Sequence, residues 1–277
     1  VEGGSVGNGA VETEWFEYRG RWTRERGEVI DEVSLSIYVN GVEFATFMSS
    51  PGDQIELALG FLKNEGFIDR MDEVRVVTTS ENVCCVDVWL DKSVAKPERF
   101  VITSGCGGGM TFDNPSDVFE PLEDDLRIDP ATLFDLQRSL YSSDALHARA
   151  GGIHTSGLSD GKTIFLTVED VGRHNTIDRL AGACLLHGIE TRGRIILSTG
   201  RISSEMMRKG ARMGCSMVCS RTSPTSMSVI MARAWGITLV GYARGNRMRV
   251  YSHPERLGLS PGTALPAAIG ASRRQGT

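Results

Sequence analysis

The chain has no Cys-x-x-Cys pair, and its 6 cysteines and 5 histidines form no zinc-spaced set. Cys184 and His187 come nearest, and two ligands do not make a structural zinc site. A Walker A lysine and a Gly-x-Gly-x-x-Gly run are both missing, which excludes a P-loop and a standard dinucleotide fold. No apolar run reaches the roughly 20 residues that span a bilayer. Positive charge is not in excess: 30 Lys and Arg against 35 Asp and Glu leave a net charge of −5. The chain as a whole is therefore not a binder of nucleic acid or membrane surfaces, and any anion site must be local. The opening residues lack the basic and apolar regions of a signal peptide, so 1–14 reads as a mobile tail and a cytoplasmic location follows by default.

What is present is a globular composition, 40% hydrophobic and 23% charged, in a chain long enough for two domains. The first half reads as a small α+β unit over 15–112. Residues 33–39 alternate at period two, and Asn40-Gly41 turns the chain into a second strand over 42–47. Ser50 reads as the N-cap of a helix with Pro51 at its first position, Ile55, Leu59 and Leu62 as its buried stripe and Gly66 as its stop. Strands are expected at 74–78 and 83–90. An acidic, solvated linker follows over 113–129. The second unit, 130–258, alternates strands at 163–168, 194–197, 216–218 and 237–240 with helices at 175–187, 203–213 and 225–235, a pattern that implies a parallel sheet. The remaining residues, 259–277, read as a disordered tail.

Right-handed crossovers bring all strand-to-helix loops of such a sheet to one edge. Each of those loops carries arginine: Arg173 in Glu169-Asp170-Val171-Gly172-Arg173-His174-Asn175, Arg201 after Ser198-Thr199-Gly200, and Arg221 in Ser220-Arg221-Thr222-Ser223. Arg244 and Arg247 follow the last strand in Tyr242-Ala243-Arg244-Gly245-Asn246-Arg247. A single loop arginine usually makes a surface salt bridge, whereas five in converging loops of an acidic chain favour a polyanion site at helix N-termini. His174 reads either as a general acid–base group oriented by Asp178, four residues on, or as a hydrogen-bonded histidine at a helix start. His154 carries the same two readings. Glu169 and Asp170 are expected to pair with Arg173, and Glu205 to serve the dipole of its helix.

Cys106 lies in Ile102-Thr103-Ser104-Gly105-Cys106-Gly107-Gly108-Gly109, where glycines leave the thiol uncrowded and backbone N–H groups favour the thiolate. The same residues also read as a plain glycine turn that carries a cysteine. The other five cysteines read as small core residues.

The loop motifs, with the closing Leu239-Val240-Gly241-Tyr242-Ala243-Arg244-Gly245 and the earlier Leu57-Ala58-Leu59-Gly60-Phe61-Leu62 followed by Glu65-Gly66, resemble the formate dehydrogenase accessory sulfurtransferase (FdhD) family over about 33–257. The resemblance implies a second domain of cytidine-deaminase-like α/β/α fold and a dimer. It implies transfer of persulfide sulfur from a cysteine desulfurase to the molybdenum or tungsten bis-(molybdopterin guanine dinucleotide) cofactor, a bound substrate whose partial analogue is GDP, with formate dehydrogenase as client. The persulfide cysteine falls on Cys106. The cofactor segment falls on Tyr242, Ala243, Arg244, Gly245, Asn246 and Arg247, with Arg173, His174, Arg201 and Arg221 joining from the loops. Gly109 stands where many members have a second cysteine, which leaves a resolving disulfide in question but not one-thiol transfer. Deamination is disfavoured, since a His-x-Glu followed by Pro-Cys-x-x-Cys is missing. A non-catalytic cofactor carrier or insertase is the alternative, and it needs the arginines but not the thiol.

Overall fold

The structure is a computed structural model that describes residues 9–80, 84–98, 100–102, 110–112, 119–142 and 145–259. Its first element is an antiparallel ribbon of β1 (Ala10–Tyr18) and β2 (Trp22–Ile30). Part of the segment read as a mobile tail is therefore a strand. The ribbon has no buried face to read in the sequence, since Phe16, Tyr18 and Trp22 are all exposed.

β3 (Val33–Val39) and β4 (Val42–Ser49) form the expected hairpin, with Asn40 and Gly41 both at positive φ. After α1 (Gln54–Asn64), β5 (Val74–Ser80) and β6 (Cys85–Leu90) complete a four-stranded sheet of order β4-β3-β6-β5. The helix starts later than the sequence implied. Asp53, in the left-handed region, is its N-cap, and no side chain caps it. The Ser50 hydroxyl instead accepts from the amide of Val171, 121 residues away. Nor is α1 striped: Leu57 to Leu62 are all buried, because the helix is covered on two sides. One side packs on the sheet, around Leu35, Ile37, Phe44 and Val86.

The other side meets the second half of the chain. There α2 (Pro130–Ser142) and α3 (Ala145–Ala150) precede a six-stranded sheet. Its elements in chain order are β9 (His154–Ser159), β10 (Ile164–Asp170), α4 (Arg173–His187), β11 (Ile195–Ser198), α5 (Ser204–Arg212), β12 (Met217–Ser220), α6 (Ser226–Ala234), β13 (Thr238–Arg244) and β14 (Arg247–Val250). A two-residue ribbon, β7 (Val101–Ile102) with β8 (Met110–Thr111), lies between the halves in sequence. The fold is α/β, but the second sheet is mixed: its order is β10-β9-β11-β12-β13-β14, and only β11, β12 and β13 are mutually parallel. β9 runs against both its neighbours and β14 against β13. β10 to β13 nevertheless point the same way, so their carboxyl ends share one edge.

α4 joins the two halves. Gly182 packs on the backbone of Glu56 and Gly60 on that of Asp178, so closely that a Cβ at either position would overlap a main-chain carbonyl. Residues 119–129 are no free spacer either. Phe119 stacks edge-on against Trp235 at 4.9 Å, and Asp124 receives Arg256 at 2.8 Å and the Ser216 hydroxyl at 2.6 Å. Phe119, Leu122, Leu126 and Ile128, spread among acidic residues, supply the apolar contacts that tie this stretch down. The expected disordered tail lies outside the described residues except for Leu259.

Candidate functional site

The loops at the shared strand edge are fixed by buried hydroxyls. Ser198 Oγ accepts from the amide of Gly200 at 3.1 Å and from Ser156 Oγ at 3.2 Å, and Ser156 meets Thr176 at 2.7 Å. Ser220 Oγ donates to the carbonyl of Gly200 at 2.5 Å and accepts from the amide of Thr222. The Ser198 and Ser220 hydroxyls satisfy backbone groups that leave the sheet here, so the loops hold one shape.

On this frame sit the loop residues singled out in the sequence. Arg173 and His174 are the first two residues of α4, both 5% exposed. Gly200 lies where a side chain would strike the Cβ of Arg173 and crowd Nδ1 of His154, which brings His154 and Arg173 together. Arg201 follows on the exposed side. Arg221, after β12, lies with its guanidinium 3.7 Å from the centre of the Tyr141 ring. Segment 242–247 is a hairpin joining β13 to β14, with Arg244 opposite Arg247 and Gly245 at φ 63°. Tyr242 also has a positive φ, 55°, its amide donates to Thr222 at 2.9 Å, and its ring is covered by Arg249 at 4.3 Å. Ala243 is buried, while Arg244, Asn246 and Arg247 are exposed. The edge thus gathers Arg173, Arg201, Arg221 and the 242–247 hairpin in neighbouring loops.

His174 is not oriented by Asp178. Its Nε2 lies 3.1 Å from Ser203 Oγ and 3.8 Å from a carboxylate oxygen of Glu205. Burial, then the positive charges of Lys209, Arg173 and Arg201 and that of His154 when it is protonated, push its pKa down to about 3. His154 is lowered too, by burial first and then by Arg173 and His147. Both imidazoles are therefore neutral near pH 7, fit for hydrogen bonding and not for carrying charge. Asp178 instead accepts from Asn64 Nδ2 at 2.8 Å and Lys209 Nζ at 2.5 Å. Asp170, expected to pair with Arg173, receives Arg179 Nε at 2.8 Å.

The neutral state of His174 has a measurable consequence. A buried histidine held near pKa 3 adds no proton on folding, whereas the unfolded chain takes one below about pH 6.5. Its contribution to stability is complete above that pH and is lost as pH falls toward 3, at about 1.4 kcal/mol per pH unit. Urea unfolding at pH 7 and pH 5 should show about 2 kcal/mol of loss in the native chain that His174→Gln lacks. Equal losses in both proteins would mean that His174 titrates normally.

Cys106 lies outside the described residues, as do 103–109 altogether. Both ends of that segment emerge from the β7–β8 ribbon, where Ile102 pairs with Met110. The outgoing end is anchored: Glu65 accepts from the Thr111 hydroxyl at 2.9 Å and from the Phe112 amide at 2.9 Å. Glu65 in turn lies 4.0 Å from Lys209. Burial raises its carboxyl pKa, against the pull of Lys209. Of the other cysteines, Cys184, Cys215 and Cys219 are core residues, and burial pushes their thiols up, that of Cys184 to about 11. Cys84 and Cys85 are half-buried and do not fit the core reading.

Sequence reasoning missed Tyr141, Ser203, Lys209 and Arg249. Tyr141 had a signal, since Leu133, Leu136, Gln137 and Leu140 are spaced as one buried helical face. Lys209 had none, because its partners Glu65 and Asp178 belong to other elements.

Comparison with known proteins gives the family and the fold. The model of the FdhD/NarQ family matches residues 30–258. A protein of Bacillus pumilus (strain SAFR-032) named "Sulfur carrier protein FdhD" is 37% identical over 248 residues, covering 87% of this chain and 95% of that protein. One of the same name from Staphylococcus aureus (strain MRSA252) is 34% identical over 236 residues, 83% of this chain and 89% of that protein. A crystal structure assigned as a formate dehydrogenase accessory protein of Desulfotalea psychrophila superposes with a TM-score of 0.76 at 28% identity, over 90% of this chain and 99% of that one. The chain belongs to the FdhD/NarQ family.

Proposed function

We propose that this chain is a sulfur carrier for formate dehydrogenase, which takes persulfide sulfur from a cysteine desulfurase on Cys106 and passes it to the molybdenum or tungsten bis-(molybdopterin guanine dinucleotide) cofactor. The observation that carries the reading is the gathering of arginines at one strand edge of an acidic chain whose relatives are named sulfur carriers. Guanidinium groups beside helix N-termini suit the phosphates of a dinucleotide, which is the bound substrate in this scheme. In the loading step the Cys106 thiolate attacks the outer sulfur of the donor persulfide. A new S–S bond forms on Cys106, the donor's S–S bond breaks, and the donor cysteine leaves as thiolate, with no net oxidant required. Delivery then breaks the Cys106 S–S bond, releases the Cys106 thiolate, and takes the two electrons that bring the sulfur to the sulfide level from the reduced metal of the acceptor cofactor. The site in the cytoplasm, where cysteines stay reduced, fits this chemistry.

Peptide mapping by mass spectrometry, after incubation with a cysteine desulfurase and cysteine, tests the thiol. One added sulfur on Cys106 is expected, and none on Cys184, Cys215 or Cys219. Sulfur on a core cysteine with Cys106 bare, or on none, leaves the non-catalytic cofactor carrier as the better account. The arginine edge is tested by titrating GDP against the native chain and Arg244→Ala/Arg247→Ala at two salt concentrations. Because both side chains are exposed, each contributes modestly, and the pair together should cost roughly tenfold in affinity, less at high salt. Unchanged affinity would place the nucleotide elsewhere.

A further inference from the structure

Arg179 and Arg256 differ from Arg221 in what holds them. Arg179 and Arg256 are each neutralised by a carboxylate, Asp170 and Asp124, and their remaining N–H groups are spent on main-chain carbonyls. Arg221 is different. Among the described residues no carboxylate pairs with it, and its guanidinium carbon lies over the ring of Tyr141, 3.7 Å from the ring centre. A tyrosine face fixes the plane of a guanidinium without cancelling its charge and without occupying its N–H edge. Tyr141 is itself held. It lies one helical turn beyond Gln137, whose Nε2 donates to the carbonyl of Ser198 at the end of β11, and Leu140 beside it is fully buried. The end of α2 is thus pinned against the strand edge, with an aromatic face under one of its arginines.

We infer that Tyr141 is a positioning residue for anion binding: it holds the Arg221 guanidinium over its ring, with no hydrogen bond from the donor edge to any described residue, ready to fork around the phosphate oxygens of a nucleoside diphosphate. This inference rests on the strand-edge reading given under Proposed function. It adds to the site a residue from an element that contributes none of the edge loops. The gain is preorganisation. A free arginine side chain loses rotamer freedom when it grips phosphate, and the stacked one has lost it already.

The test is a GDP titration of six proteins: native, Tyr141→Phe, Tyr141→Leu, Arg221→Ala, and each Tyr141 variant combined with Arg221→Ala. Tyr141→Phe keeps the ring and should bind as the native chain does. Tyr141→Leu keeps apolar volume but loses the π face, and should bind about three- to fivefold more weakly. Its thermal midpoint should hardly move, since Tyr141 as a residue is 41% exposed. In the Arg221→Ala background neither Tyr141 change should have any further effect, because Tyr141 acts through Arg221. Full affinity in Tyr141→Leu alongside weakened Arg221→Ala overturns the inference and leaves the strand-edge reading intact. Full affinity in Arg221→Ala itself removes Arg221 from the site and the inference with it. Equal loss from Tyr141→Leu with and without Arg221, or loss in Tyr141→Phe, assigns Tyr141 a direct contact or a purely structural part and overturns positioning.

Discussion

Gly182→Ala should destabilise the chain by about 2–3 kcal/mol, although alanine is the better helix former by about 1 kcal/mol. The new methyl group would overlap the carbonyl oxygen of Glu56 on α1, which is main chain and cannot rotate away. Relief requires the helices to separate. That strips contacts from Leu57, Leu180 and Ala181, all fully buried around this crossing. Overpacking in a core costs about 1–3 kcal/mol where side chains can yield, and more where they cannot. Here the loss outweighs the gain in propensity. Gly60→Ala meets the Asp178 carbonyl in the same way. The double variant should cost less than the sum of the two, because the first methyl already opens the gap for the second. Urea unfolding of the three variants measures all of this. A stability equal to or above the native value in either single variant would show that α1 and α4 are not locked together.

This helix crossing also marks where the sequence stops being legible. The arginine edge could be read because β10 to β13 run the same way, and each turns into a loop with glycine or serine beside arginine. β9 could not. His-Thr-Ser-Gly-Leu-Ser has a single large apolar residue, yet Thr155 to Ser159 are all buried, because Gly157 admits Leu140 and Ile164 against its backbone. β14 is short, polar and mostly exposed, and it shows only as the return limb of a hairpin. Missing those two strands turns a mixed sheet into a parallel one on paper. The ribbon of β1 and β2 fails for the opposite reason: neither strand buries a residue fully, and the half-buried positions of β2 include Thr23, Glu25 and Gly27, which carry no apolar signal. Local chemistry was misread where a distant partner outbids a near one. Ser50 and Pro51 look like a helix cap, but the hydroxyl serves Val171. Asp178 is one turn from His174, but Asn64 and Lys209 claim both its oxygens.

Arg179→Met should be the most damaging single change to a side chain, at about 3–5 kcal/mol. Arg179 is 2% exposed, and its guanidinium donates to four acceptors. Nε reaches Asp170 at 2.8 Å, Nη1 the carbonyls of Gly52 at 2.6 Å and Asp53 at 3.1 Å, and Nη2 the carbonyl of Ser50 at 2.7 Å. Those carbonyls belong to the bend before α1, where Gly52 and Asp53 both take positive φ. Methionine fills much of the volume but leaves a carboxylate and three carbonyls without their donor. Arg179→Lys should recover only part of the loss, since one ammonium cannot span four acceptors in a plane. The damage should also reach the strand edge. Asp170 accepts from the Gly172 amide and from Asn175 Nδ2, both at 2.8 Å, and so sets the start of the helix that carries Arg173 and His174. Burial already raises the Asp170 carboxyl pKa against Arg179; without that arginine the bonds from Gly172 and Asn175 are left to oppose burial, and the pKa rises further. Protonation then relieves part of the penalty, so the gap between variant and native chain should narrow as pH falls from 7 to 5. Asp170→Asn in the Arg179→Met background should likewise be milder than the two single losses combined, because the buried charge goes with its partner. Urea unfolding of the single and double variants at both pH values tests the pair. Additive losses with a gap that ignores pH would mean that Arg179 acts by filling space, not by balancing the charge of Asp170.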